Sequence, residues 1–318
     1  MLPRNAATSR PTGKIARVTS RSPLPGRADA IPPQVLLLAA VGSVQFGSAF
    51  ANKIFPTAGP GGVAFLRVLF TAVVLLAIAR PSLRGRDRRE IGTVVAYGLT
   101  LAGMNWSFYE ALDRLPLGVA VTIEFTGPLT VAVAGSRRII DGVWVALAAA
   151  GVVLLALRGG HAGVHLLGVL LALVAATCWG LYILLAKRVG TSFGALEALA
   201  IGMAVGTFLV LPAGIVDGGT TLLRPGVIAA CLGVAMLSSL IPYTLELIAL
   251  RRLTTAVFGL LMSLEPAVAA LAGVIVLGQS LTAVLAVALV MVVVASVGAT
   301  LTGRSVPGDV ADARPPDP

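Results

Sequence analysis

The sequence predicts an all-α polytopic membrane protein of ten transmembrane helices, arranged as two inverted five-helix repeats. Three observations carry this. Apolar residues make up 57% of the 318 positions and charged residues only 12%, with a mean hydropathy of +0.94, far from the balance of a soluble domain. Continuous apolar runs of about 20 residues recur along the chain, the length that crosses a hydrocarbon core roughly 30 Å thick. Two stretches, ALDRLPLGVAVTIEFTGP at 111–128 and ALRRLTTAVFGLLMSLEP at 249–266, overlay without a gap and share six of eighteen positions. Each holds a glutamate in an apolar run, Glu124 or Glu265, and each ends on a proline, Pro128 or Pro266. The repeat predicts two related halves. A carboxylate at the centre of a lipid-spanning segment is costly enough to imply a pathway or a substrate, which points to a transporter.

In chain order, spans are expected near 33–54, 61–80, 91–111, 116–135, 140–157, 166–186, 193–213, 226–249, 254–277 and 281–302. The first ends where Pro56 to Gly62 form a turn, the second at Arg80-Pro81-Ser82, and the fifth at Gly159-Gly160. The eighth opens after Arg224-Pro225. The runs are continuous rather than alternating, which excludes a transmembrane barrel.

Charge sets the orientation, because cytoplasmic loops collect Lys and Arg. With the amino terminus inside, nineteen of the twenty-four basic residues fall on the cytoplasmic side. Lys53, Arg114, Arg158 and Arg224 fall outside, and Arg67 lies within a span. Both termini are therefore expected in the cytoplasm. Five spans per half is an odd number, so the second half runs through the membrane in the opposite sense to the first. The expected organisation is a disordered basic tail over 1–31, repeats over 32–160 and 161–303, and a second disordered tail over 304–318. The first tail is partly like a transit peptide in composition but lacks an apolar stripe and is broken by Pro11, Pro23 and Pro25.

The net charge of +10 does not signal nucleic acid, since the basic residues sit in short clusters between apolar runs with no aromatic-studded basic face. Cys178 and Cys231 both fall within spans and read as small apolar fillers, not as a disulfide or a metal site. His161 and His165, four apart, lie in a short external loop with no acid or cysteine near them, so no metal or other cofactor is expected.

The segment ALRRLTTAVFGLLMSLEPAVAALAGVIVLGQSLTAVLAVALVMVVVASVGATLT at 249–302 resembles the C-terminal hairpin of the EamA family in the drug/metabolite transporter superfamily: a basic junction, an LEP-like motif, a G-[EQ]-x-L turn and a final span. The runs at 108–157, 178–190 and 240–268 resemble the threonine/homoserine exporter branch. Gln279 stands where many members of the family carry glutamate. The resemblance implies a ten-helix inner-membrane carrier that exports small amino acids or similar metabolites against a proton influx. Its partners would be an amino-acid-like substrate, protons and the lipid bilayer; a homodimer is allowed but not demanded.

Several polar residues within spans are candidates for the substrate or proton site. Glu124 and Glu265 each lie about halfway along a span, where they could bind a proton, hold an ammonium, or pin two helices together. Arg67 offers a planar fork that suits a carboxylate, or it could be the resident partner of Glu124 or Glu265, the structural pairing being favoured. Glu110 and Glu246 lie near the ends of the third and eighth spans, at similar places in the two halves. Asn105 and Tyr109 share one helical face, and Trp106 and Glu110 the neighbouring one. Tyr243 stands three residues before Glu246, and Trp179 and Tyr182 share a face in the sixth span. For the aromatics the competing reading is the interfacial belt. Pro128, Pro242 and Pro266 each remove a backbone donor inside a span and free a carbonyl upstream, serving either coordination or a plain kink.

Together these readings favour a secondary exporter of small neutral amino acids working by alternating access. Export of another metabolite or toxic compound on the same fold is the alternative. A membrane-embedded enzyme is disfavoured because no span contains a histidine and no loop is long enough to build a separate catalytic site.

Overall fold

The computed structural model describes residues 31–134, 138–158 and 165–302. Nearly all of both expected tails, and His161, lie outside the described residues. Among the described residues there is no strand. The helices are α1 (Pro33–Ala58), α2 (Pro60–Ala79), α3 (Arg88–Leu112), α4 (Leu117–Glu124), α5 (Thr126–Val133), α6 (Ile139–Arg158), α7 (Leu166–Val189), α8 (Ala195–Gly218), α9 (Pro225–Ala235), α10 (Ile241–Leu250), α11 (Thr255–Met262), α12 (Glu265–Leu277) and α13 (Ala283–Thr302). Eight stretches are long and apolar enough to cross a membrane. These are α1, α2, α6, α7, α8 with its following turn, α9 through α10, α11 through α12, and α13. α3 spans 25 residues but carries Arg88, Arg89, Glu90 and Glu110 near its ends, and α4 with α5 forms a shorter apolar pair over Leu117–Val133.

Three apolar runs are interrupted, each just upstream of a proline. Proline has no N–H for the carbonyl four residues back and its ring crowds that carbonyl. For Pro128 the carbonyl is that of Glu124, and the helix breaks at Phe125. For Pro266 it is that of Met262, and the helix breaks at Ser263–Leu264. The two breaks occupy the same place in the two overlaid stretches. For Pro242 the carbonyl belongs to Ser238, which lies in a five-residue π-helical segment, Met236–Leu240, between α9 and α10.

Two expected ends are corrected: the seventh span does not end at residue 213, since α8 continues to Gly218. The first span does not end at residue 54; α1 continues through Pro56 to Ala58, and Gly59 alone, at φ 69°, makes the turn into Pro60. Proline in the last turn disturbs little, and Pro60 then takes the first helical position, where its missing N–H costs nothing. Pro212, inside α8, interrupts nothing.

Close packing rests on small residues. α2 lies along α8, α3 along α7, α6 along α13, α1 along α10, and α4 along α12. A Cβ on Gly98 would stand 2.8 Å from the Gly202 carbonyl oxygen, and one on Gly127 would collide with the Ala176 carbonyl. Gly42, by contrast, has nothing within 4 Å of the place where its Cβ would be. At the end of the bundle where α4 begins, polar clamps tie the helices. Leu117 N–H donates to Gln279 Oε1 at 3.0 Å, Gly61 N–H to Asp217 Oδ2 at 2.8 Å, and Asn52 Nδ2 to the Leu112 carbonyl at 2.9 Å.

Gly127→Ala should therefore lower the thermal stability of the detergent-solubilised protein, by about 1–3 kcal/mol as expected for overpacking. Gly42→Ala should leave it unchanged or raise it by up to about 1 kcal/mol through helix propensity. Circular-dichroism melts of the two variants beside the wild type measure both.

Candidate functional site

Arg67 sits two turns into α2 and is only 6% exposed. A guanidinium cannot shed its charge there, so its donors need acceptors. Nε–H donates to Ser239 Oγ at 3.1 Å, and Nη2–H donates to the Ser238 carbonyl at 3.0 Å. That carbonyl is the one Pro242 cannot satisfy. The guanidinium also lies over the Tyr109 ring, 5.2 Å from its centroid. The expected pairing with Glu124 or Glu265 is corrected: among the described residues Arg67 forms an ion pair with neither, although its charge acts on Glu124. Serine and a released backbone oxygen do the work assigned to a carboxylate.

Three acids share the interior. Glu124 closes α4 and is 8% exposed; Glu265 opens α12 and is 5% exposed. Glu246, on α10, is part-buried. Glu124 and Glu246 both act electrostatically on Glu265, and Arg67 acts on Glu124. None of them makes an ion pair among the described residues. An unpaired ionised carboxylate in such surroundings costs on the order of several kcal/mol. The set therefore suits the uptake of a proton or of an organic cation. The described residues bring no three of His, Cys, Asp and Glu close enough to hold a metal ion.

All four tyrosines of the chain gather here. Tyr97 and Tyr182 pack ring to ring at 5.1 Å, and Tyr243 joins the same apolar cluster. Tyr109 is 0% exposed, packed 5.5 Å from Phe55, and its hydroxyl faces Arg67 and Ser238 without closing a hydrogen bond to either. The Ser238 hydroxyl and Gln45 Oε1 are likewise buried and unpartnered. None of the tyrosines serves as an interfacial belt.

Other candidates fall elsewhere. Glu110 accepts from Arg114 Nη1 at 2.8 Å, an i,i+4 pair at the end of α3 away from the central acids. Trp106 is 39% exposed on the outer surface of the bundle. Asn105 is buried, but its amide donates to the Leu101 carbonyl at 2.7 Å within its own helix. Trp179 does not share a setting with Tyr182; it meets Phe125 edge-on at 5.8 Å, beside the break that follows Glu124. Pro128 and Pro266 lie in the first turns of α5 and α12, and Pro242 in the first turn of α10. His165 precedes α7 without a side-chain cap.

Sequence reasoning missed Tyr97, Ser238 and Ser239, and it singled out Gln279 without foreseeing its contact with Leu117. The signal for the serines was their position three and four residues before Pro242. Two apolar hollows, of about 430 and 230 Å³, are lined by residues such as Phe65 and Phe70, or Leu129 and Val152, and include none of the acids.

The EamA-like transporter family matches residues 166–301. The chain is 42% identical over 285 residues to the threonine/homoserine exporter RhtA of Escherichia coli (strain K12), covering 88% of this chain and 96% of that one. It is 41% identical over 288 residues to the threonine/homoserine exporter RhtA of Salmonella typhimurium (strain LT2), covering 89% and 97%. A protein of solved crystal structure, 21% identical, superposes with a TM-score of 0.56 over 85% of this chain and 98% of its own, and shares the fold.

Tyr109→Phe removes a hydroxyl that has no hydrogen bond to lose, so it should not lower the melting temperature and should raise it slightly. A thermal melt in detergent checks this; a clear fall would mean that the hydroxyl has a partner.

Proposed function

Since the chain belongs to the EamA family of the drug/metabolite transporter superfamily, in its threonine/homoserine exporter branch, we propose that it is a secondary active exporter of small neutral amino acids of the threonine and homoserine kind. The observation that carries this is the identity of 41–42% to RhtA exporters along nearly the whole of both chains. The protein is a multi-pass membrane carrier of the cytoplasmic membrane with both termini inside, built of ten spans. α3 and the α4–α5 pair complete the eight longer apolar stretches.

The helix packing supports two inverted repeats over 32–160 and 161–303. Moving each span five places along the chain maps the contacts onto one another. α2 with α8 and α6 with α13 are self-paired under this operation, whereas α4 with α12 would become α11 with α5, which part from each other. α3 with α7 becomes α10 with α1, and α4 and α5 with α7 become α11 and α12 with α1. The matching helix breaks at Phe125 and at Ser263–Leu264 obey the same relation.

Alternating access has a physical basis in the broken spans. Every residue from Leu117 to Phe125 is buried, and α4 packs on α12. Beyond the breaks the paths part: α5 lies on α6, α7 and α13, whereas α11 lies on α1, α10 and α13. In α5 only Gly127 and Leu129 are buried. With the orientation set by charge, the shut end is external and the looser end faces the cytoplasm. Glu124 and Glu265 flank the breaks, where rocking of the half-helices changes their surroundings most, and they carry the coupled protons.

Glu124→Gln and Glu265→Gln should each abolish pH-driven accumulation of radiolabelled threonine in inverted vesicles, while reaching the membrane at wild-type levels. Wild-type vesicles that accumulate threonine equally with and without a pH gradient would remove proton coupling from the reading. Wild-type vesicles that accumulate no threonine would remove the substrate.

A further inference from the structure

Resting on the exporter reading, we propose that Arg67 and Glu246 are the two poles of a single zwitterion subsite. Arg67 receives the substrate α-carboxylate, Glu246 receives the α-ammonium, and Tyr243 lies between them. Tyr243 and Glu246, three apart, share one face of α10, and Ser239 precedes them in the π-helical turn that leads into it. Arg67 is fastened at that turn by bonds of 3.1 and 3.0 Å to Ser239 Oγ and the Ser238 carbonyl. Glu246 stands seven residues on, about 10 Å along the axis at 1.5 Å per residue. A charge-assisted hydrogen bond of about 2.8 Å at each end lets an amino acid bridge a gap of that order. A free carboxylate or a free amine fills only half of it.

Each pole has capacity left. The two fastening bonds use Nε and Nη2, and Nη1 has no protein acceptor among the described residues. Beside it lie the buried, unpartnered hydroxyls of Tyr109 and Ser238, two further donors for a carboxylate. Glu246 has no cation paired with it among the described residues, since the ion pairs there are Arg86–Glu90, Arg114–Glu110 and Arg114–Asp113. Its charge reaches the hydroxyls of Tyr182 and Tyr243, which are polar neighbours for an ammonium. Tyr243 is also within range of Arg67, so it spans the two poles. This leaves Glu124 and Glu265 for the protons and separates the substrate acid from the coupling acids.

The test is equilibrium binding to the purified full-length protein in lipid nanodiscs, using threonine, threonine amide and N-acetylthreonine. Wild type should bind threonine at least about ten-fold more tightly than either blocked analogue, one charge-assisted contact being worth that much. In Glu246→Gln the preference over N-acetylthreonine should vanish while the preference over the amide stays. Arg67→Gln should show the converse. Glu246→Asp and Arg67→Lys keep the charges, and each should retain the wild-type order of preference with weaker binding; they stand in if a neutral variant fails to fold. Wild type that binds no threonine ends the exporter reading and the subsite together. Wild type that binds threonine, beside a Glu246→Gln protein with unaltered affinity and unaltered preference, overturns the subsite alone.

Discussion

The structure turns on how a permanent cation is held inside an apolar bundle. Arg67 cannot deprotonate, so α2 can carry it only where fixed acceptors meet its fork. The acceptors come from a backbone defect. Pro242 leaves the Ser238 carbonyl without its helical donor, the π-helical turn over Met236–Leu240 presents that oxygen sideways, and Arg67 Nη2 takes it at 3.0 Å. Neither feature is stable alone: an unsatisfied carbonyl and an unsatisfied guanidinium are each expensive away from water. Together they join α2 to the α9–α10 span and fix the azimuth of α10. That azimuth brings Tyr243 within reach of the Arg67 charge. A charged interaction using carbonyl and hydroxyl acceptors also leaves the nearby acids uncommitted.

Much of the scaffold was legible because lipid imposes a simple rule. Apolar runs must be long enough to cross, and their ends coincide with turn residues, so the expected spans fall within a few residues of the helices. The exceptions at Pro56 and Pro212 follow from the same physics, since proline disturbs only the turn upstream of it, and α1 runs on to Ala58 and α8 to Gly218. The broken helices were legible as kinks at Pro128, Pro242 and Pro266, but not their consequence. A sequence shows which carbonyl a proline frees; it does not show which side chain from another span will arrive there.

The site was legible by residue type and not by partnership. Glu110 and Glu246 occupy similar places in the two halves, yet Glu110 has Arg114 one turn along its own helix and forms a local pair, while Glu246 is followed at that spacing by Leu250. That difference was visible in the sequence. Arg67 could not be resolved in the same way, because its acceptors lie 171 and 172 residues away. Tyr97 escaped notice because a lone tyrosine in an apolar run reads equally as core or as belt. Its contact with Tyr182 depends on the packing of α3 against α7, where Gly103 meets Cys178, rather than on any polar signal.

The two broken spans share a break point and differ in where their acids stand. Both broken spans interrupt at the same point of the repeat, but Glu124 ends the segment before its break and Glu265 begins the segment after its own. An inverted repeat that carried its acids at strictly equivalent places would set two like charges in mirror-related surroundings, and each motion would treat them alike. Here the acids sit on opposite sides of their breaks, so a movement that bends both spans shifts the two surroundings differently. A polar clamp fixes the start of α4. Gln279 Oε1 accepts the Leu117 N–H at 3.0 Å, an otherwise orphaned donor at the start of α4. That donor is one of those every helix start leaves without an intrahelical partner, so the contact ties α4 to the turn after α12 at no cost to either helix.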